Sequence, residues 1–172
     1  MKKLLFIFLL SGIYFGSNAQ NKINETMLDK NTNEEILIGY CNKDGLTSPP
    51  FDEWFLAEYE SYMIDKESLE PVMHKVDKDL KIVVVLGTWC SDSQREVPRF
   101  MKILSFLKID PGQISIIAVD RSKEAKNIPL TDLNIEFVPT FIFYDHEKEI
   151  GRIVEWPEES LEKDIEKIFA KI

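Results

Sequence analysis

Ile82-Val83-Val84-Val85-Leu86 constrains this chain more than any other stretch. Consecutive apolar and mostly β-branched residues leave no polar face to turn toward water, so they predict a strand buried on both faces. Such a strand lies inside a sheet with further layers packed on it, which makes the fold class α/β. The run leads straight into Gly87-Thr88-Trp89-Cys90-Ser91-Asp92-Ser93. Apolar residues then recur at helical spacing, at Val97, Phe100, Met101, Leu104 and Leu107, until Asp110-Pro111-Gly112 stops the pattern. A cysteine therefore falls where the C-terminal end of a buried strand meets the first turn of a long helix.

The rest of the chain supplies matching layers. Residues 114–119 read as a second buried strand, and residues 140–144 and 149–154 flank Asp145-His146-Glu147-Lys148 as a hairpin. Leu161, Ile165, Ile168, Phe169 and Ile172 predict a last amphipathic helix, with Glu158 and Glu159 at its positive end and Lys167 and Lys171 at its negative end. Upstream, residues 34–40 read as one short strand ending at Cys41. Phe51, Trp54, Phe55, Tyr59, Tyr62 and Met63 then predict a helix that tolerates Pro50 at its start. Leu69, Val72, Met73, Val76 and Leu80 predict another, with Pro71 placed in its first turn. These aromatic and methionine stripes read as core. The expected architecture is a central mixed sheet flanked by helices, with an N-terminal strand and helix extension.

A length of 172 residues suits one such domain, and 11 Phe, 5 Tyr and 3 Trp can close its core without disulfide staples. Residues 1–19 read as a signal peptide: a basic start at Lys2 and Lys3, an apolar run over 4–15 too short to span a bilayer, and Ser17-Asn18-Ala19 before Gln20. Cleavage is expected between Ala19 and Gln20, giving a protein exported to the periplasm or beyond, with no stable membrane span after cleavage. Residues 20–33 are polar and read as a flexible lead-in. Residues 34–172 form the domain, with 34–80 as extension and 81–172 as core. The net charge is -9, and without Lys2 and Lys3 it becomes -11, from 19 basic against 30 acidic residues. That sign excludes binding along a nucleic-acid backbone.

Chemistry concentrates at Cys90. A sulfur in a helix's first turn faces unpaired backbone N–H groups and the positive end of the dipole, both of which favour the nucleophilic thiolate. Ser93 can aim its hydroxyl at the same sulfur, whereas Asp92 adds opposing charge unless it caps the helix. His74 and His146 are the only histidines, and no Cys/His group has metal-ligand spacing. No glycine-rich phosphate loop is present either, so neither a metal nor a cofactor is called for. Arg95, Arg99 and Arg121 read as solvated charges near the site.

These residues resemble the thioredoxin-like proteins, over roughly residues 81–172. Trp89-Cys90-Ser91-Asp92-Ser93 stands in the place of that family's Trp-Cys-x-x-Cys. Pro98 lies eight residues after Cys90, Val138-Pro139-Thr140 lies 49 residues on from Cys90 to Pro139, and a hairpin and terminal helix follow. The run from Thr88 to Phe100 looks like exported bacterial members specifically. The resemblance implies a cis peptide before Pro139, facing Cys90, where Val138 holds the extended backbone of a client. Trp89, Ser91, Asp92 and Thr140 would complete the surround.

Two departures stand out. Ser93 replaces the second cysteine, and Val84 occupies the place of the family's buried acid. A dithiol enzyme releases its mixed disulfide with the second thiolate, which a serine cannot do. Three readings stay open. Cys90 acts as a monothiol on client disulfides or small thiols and is resolved by an external donor. Alternatively Cys41, the only other cysteine, resolves it. In the third, the fold is a redox-silent binding module for an envelope partner.

Overall fold

The computed structural model describes residues 22–172. The proposed signal peptide and its cleavage point lie outside the described residues. In chain order the strands are β1 (Thr26–Leu28), β2 (Glu35–Leu37), β3 (Gly39–Cys41), β4 (Leu80–Leu86), β5 (Ile114–Ala118), β6 (Thr140–Asp145) and β7 (Lys148–Val154). The helices are α1 (Lys43–Leu46), α2 (Asp52–Ser61), α3 (Lys66–Met73), α4 (Ser91–Phe106) and α5 (Leu161–Phe169). No described helix is long and apolar enough to cross a membrane.

Strand β4 is the spine. It pairs in parallel with β5 and antiparallel with β6, with Val84 opposite Ile116 on one side and Phe141 on the other. The main sheet runs β3-β5-β4-β6-β7, a mixed five-stranded order. Leu80, Ile82, Val84 and Leu86 point to one face, where they meet Phe100, Phe141, Phe143 and Phe169 in the main core. Phe100 stacks on Phe141 at 4.1 Å between centroids, joining α4 to the sheet. Val85 points to the opposite face, with Ile117, Val119 and Val138. That face is covered by Ala125, Ile128, Leu130 and Leu133 of the irregular stretch between β5 and β6, which holds one 3₁₀ turn, Thr131–Leu133.

The hairpin between β6 and β7 turns on His146 and Glu147, both with positive φ (47° and 66°), the two-residue turn that matches strand twist. Helix α5 begins at Ser160, whose side chain accepts from the Lys163 N–H. The Val138–Pro139 and Pro49–Pro50 peptides are both cis.

Four local expectations are corrected. The lead-in contains β1, which pairs antiparallel with β2 through Thr26–Leu37 and Met27–Ile36. Asp29 nucleates its turn by accepting from the Asn31 N–H. The strand expected over residues 34–41 is two strands in two sheets, because Gly39 adopts φ +85° and redirects the chain after Ile38. Pro71 sits inside α3 rather than in its first turn, since Asp65 caps the Ser68 N–H and starts the helix at Lys66. Leu80, assigned to that helix by spacing, opens β4 instead.

Candidate active site

Strand β4 delivers its last residue, Leu86, to a four-residue loop that ends in Cys90. The residue is the N-cap of α4, with extended backbone at φ -100° and ψ 124°, one position ahead of the first turn. Its N–H donates to the Gly87 carbonyl at 2.9 Å, and its carbonyl accepts from the Gln94 N–H at 2.9 Å. The partly exposed thiol donates to the Val138 carbonyl at 3.3 Å, across the gap to the cis peptide. The first N–H groups of α4 lack helical acceptors and point toward this end.

The loop is held from three sides. The Gly87 N–H donates to the Ser93 hydroxyl at 3.2 Å, and Ser93 is fully buried. Thr88, also buried, accepts from the Leu37 N–H of β2 at 3.2 Å, and its carbonyl accepts from the Gln94 side chain at 2.8 Å. Trp89 donates from its indole N–H to the Val119 carbonyl at 2.8 Å. Gly87 makes this possible, because a Cβ there would lie 2.5 Å from the Trp89 ring.

Behind Trp89 stands a charge pair. The Arg121 guanidinium lies 4.8 Å from the indole centroid, and its Nε donates to Asp29 at 2.6 Å. The Asn31 N–H, with help from Arg121, holds the nearly buried Asp29 carboxyl below the usual range against the opposing effect of burial. Asp92 does not cap α4; it pairs with Arg95 at 2.9 Å, and Arg95 also bonds the buried Glu96 at 2.6 Å.

On the facing loop the Val138 side chain is buried, so its backbone is what reaches the site. Thr140 donates its hydroxyl to the Phe137 carbonyl at 2.7 Å, and the Glu155 N–H donates to the Pro139 carbonyl at 2.7 Å. Phe137 and Trp156 flank this loop with 48% and 55% of their surface exposed.

A family profile described as Thioredoxin matches residues 52–166. The chain belongs to the thioredoxin family. Similar solved structures include a protein of unknown function from Pseudomonas aeruginosa, 18% identical with TM-score 0.47, covering 70% of this chain and 82% of that one. They also include the N21Q mutant thioredoxin from Halobacterium salinarum, 14% identical with TM-score 0.37, covering 55% and 79%. Thioredoxin f2 from Chlamydomonas reinhardtii is 20% identical with TM-score 0.33, covering 53% and 80%. No curated protein matches the chain.

Within this thioredoxin fold the expected residues sort into two groups. Trp89, Cys90, Ser91, Asp92, Ser93, Val138, Pro139 and Thr140 converge on one end of the sheet. Cys41 does not join them. It lies on β3 opposite Ile116, itself opposite Val84, so two inter-strand steps of roughly 4.8 Å each separate Cys41 from β4. Its side chain belongs to the main core, whereas Cys90 packs on the other face. A disulfide needs Cα atoms within about 7 Å, so Cys41 cannot resolve Cys90 in this arrangement. Burial pushes the Cys41 thiol up to about 12.

The Ser93 hydroxyl likewise turns to the Gly87 N–H rather than to the sulfur, making it a brace for the loop. Sequence reasoning placed Arg121 nearby but missed its partner, because Asp29 lies 92 residues away in a stretch read as unstructured. Thr88 and Gln94 were missed as well; their position beside Cys90 was the available signal. Among the described residues no group of three or more His, Cys, Asp or Glu could hold a metal ion.

Proposed function

We propose that this protein is an exported thiol–disulfide exchange factor acting through the single sulfur of Cys90, with an external thiol as resolving partner. The supporting observation is the approach of the partly exposed Cys90 thiol to the Val138 carbonyl at 3.3 Å, at the start of α4, where no side chain caps the helix. A thiolate formed there attacks one sulfur of a disulfide in line with the bond, and the other sulfur departs as thiolate. The N–H groups at the helix end favour negative charge on the attacking sulfur. Loss of the thiol proton frees the Val138 carbonyl, which is then open to a client backbone laid alongside it in β fashion.

With Ser93 buried and Cys41 on the other face, the mixed disulfide has no internal thiol to break it. A small thiol or a partner's thiol therefore completes the exchange, returning Cys90 and leaving the client bonded to the incoming sulfur. The test is a mixed-disulfide assay on the mature protein. Cys90→Ser is expected to abolish adduct formation with little change in fold, and Cys41→Ser to leave it intact. Full exchange activity in Cys90→Ser would overturn the assignment. A second reading, a redox-silent docking module, draws on exposed Phe137 and Trp156 beside Pro139, and it predicts partner binding that survives Cys90→Ser.

A further inference from the structure

We propose that the groove between α2 and the start of α4 is a docking subsite that favours client segments pairing a basic with an apolar side chain next to the reacting disulfide. This rests on the reading of Cys90 as the reacting sulfur. The groove holds 510 Å³ and is walled by Glu53, Trp54, Ala57 and Glu58 of α2 and by Ser91, Gln94 and Arg95 of α4. Ser91 directly follows Cys90, so a chain bonded to the sulfur reaches the groove within two or three extended residues at about 3.3 Å each.

The charge in and just behind these walls is unbalanced. Glu58 is committed to Arg99, at 2.7 Å, and Arg95 to Asp92 and Glu96, at 2.9 Å and 2.6 Å. Glu53, exposed in the first turn of α2, has no ion-pair partner among the described residues. Glu53, Glu58 and Arg95 line the groove and Asp92, Glu96 and Arg99 stand behind them as ion-pair partners, so four carboxylates face two guanidiniums. Trp54 lies beside Glu53, its ring tilted 60° to Phe55 at 6.0 Å and partly exposed. A carboxylate beside a partly exposed indole suits a lysine or arginine, which pairs with one and lies against the other. The stem of that side chain and a neighbouring apolar residue would cover the ring and Ala57. An acidic segment would meet like charge here, and the net charge of -9 adds repulsion from a distance.

The reaction served is balanced without an oxidant. The Cys90 thiolate displaces one client sulfur, forming a mixed disulfide and releasing a client thiolate. A small-thiol thiolate then attacks the client sulfur and restores the Cys90 thiolate.

The experiment compares rates of mixed-disulfide formation with two short peptide disulfides that differ only in Lys-Leu or Glu-Leu beside the cystine. Each rate is divided by the rate with a small uncharged aromatic disulfide. The Lys-Leu peptide is expected to react about five- to tenfold faster at low salt, with the ratio shrinking as salt rises. Glu53→Lys should bring the ratio to one or below, and Trp54→Ala should reduce it. Equal normalised rates in the wild type, or a ratio unmoved by Glu53→Lys, would overturn the subsite alone. No reaction with the aromatic disulfide would remove the reading of Cys90, and the subsite with it.

Discussion

Two cysteines of identical chemistry differ here through their surroundings. Cys41 is buried in the main core, beside a cavity it lines with Met101, Leu104, Ile109, Ile114 and Ile116, and a charged sulfur there would lose its hydration. With its thiol pushed up to about 12, Cys41 is expected to resist alkylation at pH 8 in the folded protein, while Cys90 labels. Mass spectrometry after a timed pulse of iodoacetamide checks this; double labelling without denaturant would contradict it. Gly87 sets a second residue-scale constraint. Gly87→Ala puts a methyl 2.5 Å from the indole and must push Trp89 off the Val119 carbonyl. The expected loss is about 1–3 kcal/mol in urea titration, accompanied by altered indole emission. The Cys90 site was legible because strand, cysteine and helix are contiguous in sequence. The Asp29–Arg121 pair behind Trp89 was not, since nothing local to either residue indicates the other.

Among elements, the β1–β2 hairpin contributes more than its length suggests. It ties to the active loop through the Leu37 N–H on Thr88 and to Arg121 through Asp29, while Asn24 just before it bonds Asn42 at 2.8 Å. A three-residue strand amid polar neighbours carries too little periodicity to be read, which is why this segment passed for a lead-in. The buried strands β4 and β5 and the long helix α4 were legible for the opposite reason: their apolar patterns run over several turns or pleats. The cover over Val85 and Ile117 was illegible, because its apolar residues follow neither period. Asp29→Ala removes both the turn cap and the partner of Arg121. Arg121 keeps access to water, with 37% of its side chain exposed, so screening limits the expected loss to about 1–2 kcal/mol. The informative readout is Trp89, whose mobility should rise by fluorescence anisotropy decay. A variant with unchanged Trp89 dynamics would show that the hairpin does not steady the site.

For the molecule as a whole, pH acts through groups shifted in opposite directions. Hydrogen bonds from Lys126, Asn31, Ser68, Arg152 and Lys167 hold Glu25, Asp29, Asp65, Glu149 and Glu159 below their ordinary values. A carboxyl more acidic when folded stabilises the fold fully above its unfolded value, near 4.5 for Glu and 3.8 for Asp, and that contribution fades as pH falls through the folded value. His146 is shifted upward from 6.5, first by its bond to Asp145 and then by the charges of Asp145 and Asp79. Its contribution is complete below 6.5 and is lost as pH rises through the higher folded value. Self-repulsion acts in the same direction, since the charge of -9 at pH 7 shrinks toward zero on acidification. Stability is therefore expected to peak between about pH 4.5 and 6.5, below neutrality. Chemical denaturation at fixed ionic strength, repeated across pH at low protein concentration, traces the curve. His146→Gln should flatten the decline above pH 6.5 without moving the acid limb, because the carboxylates that set the acid limb keep their partners. A wild-type curve still rising from pH 6.5 to 8 would mean that neither the histidine nor the net charge governs the alkaline side.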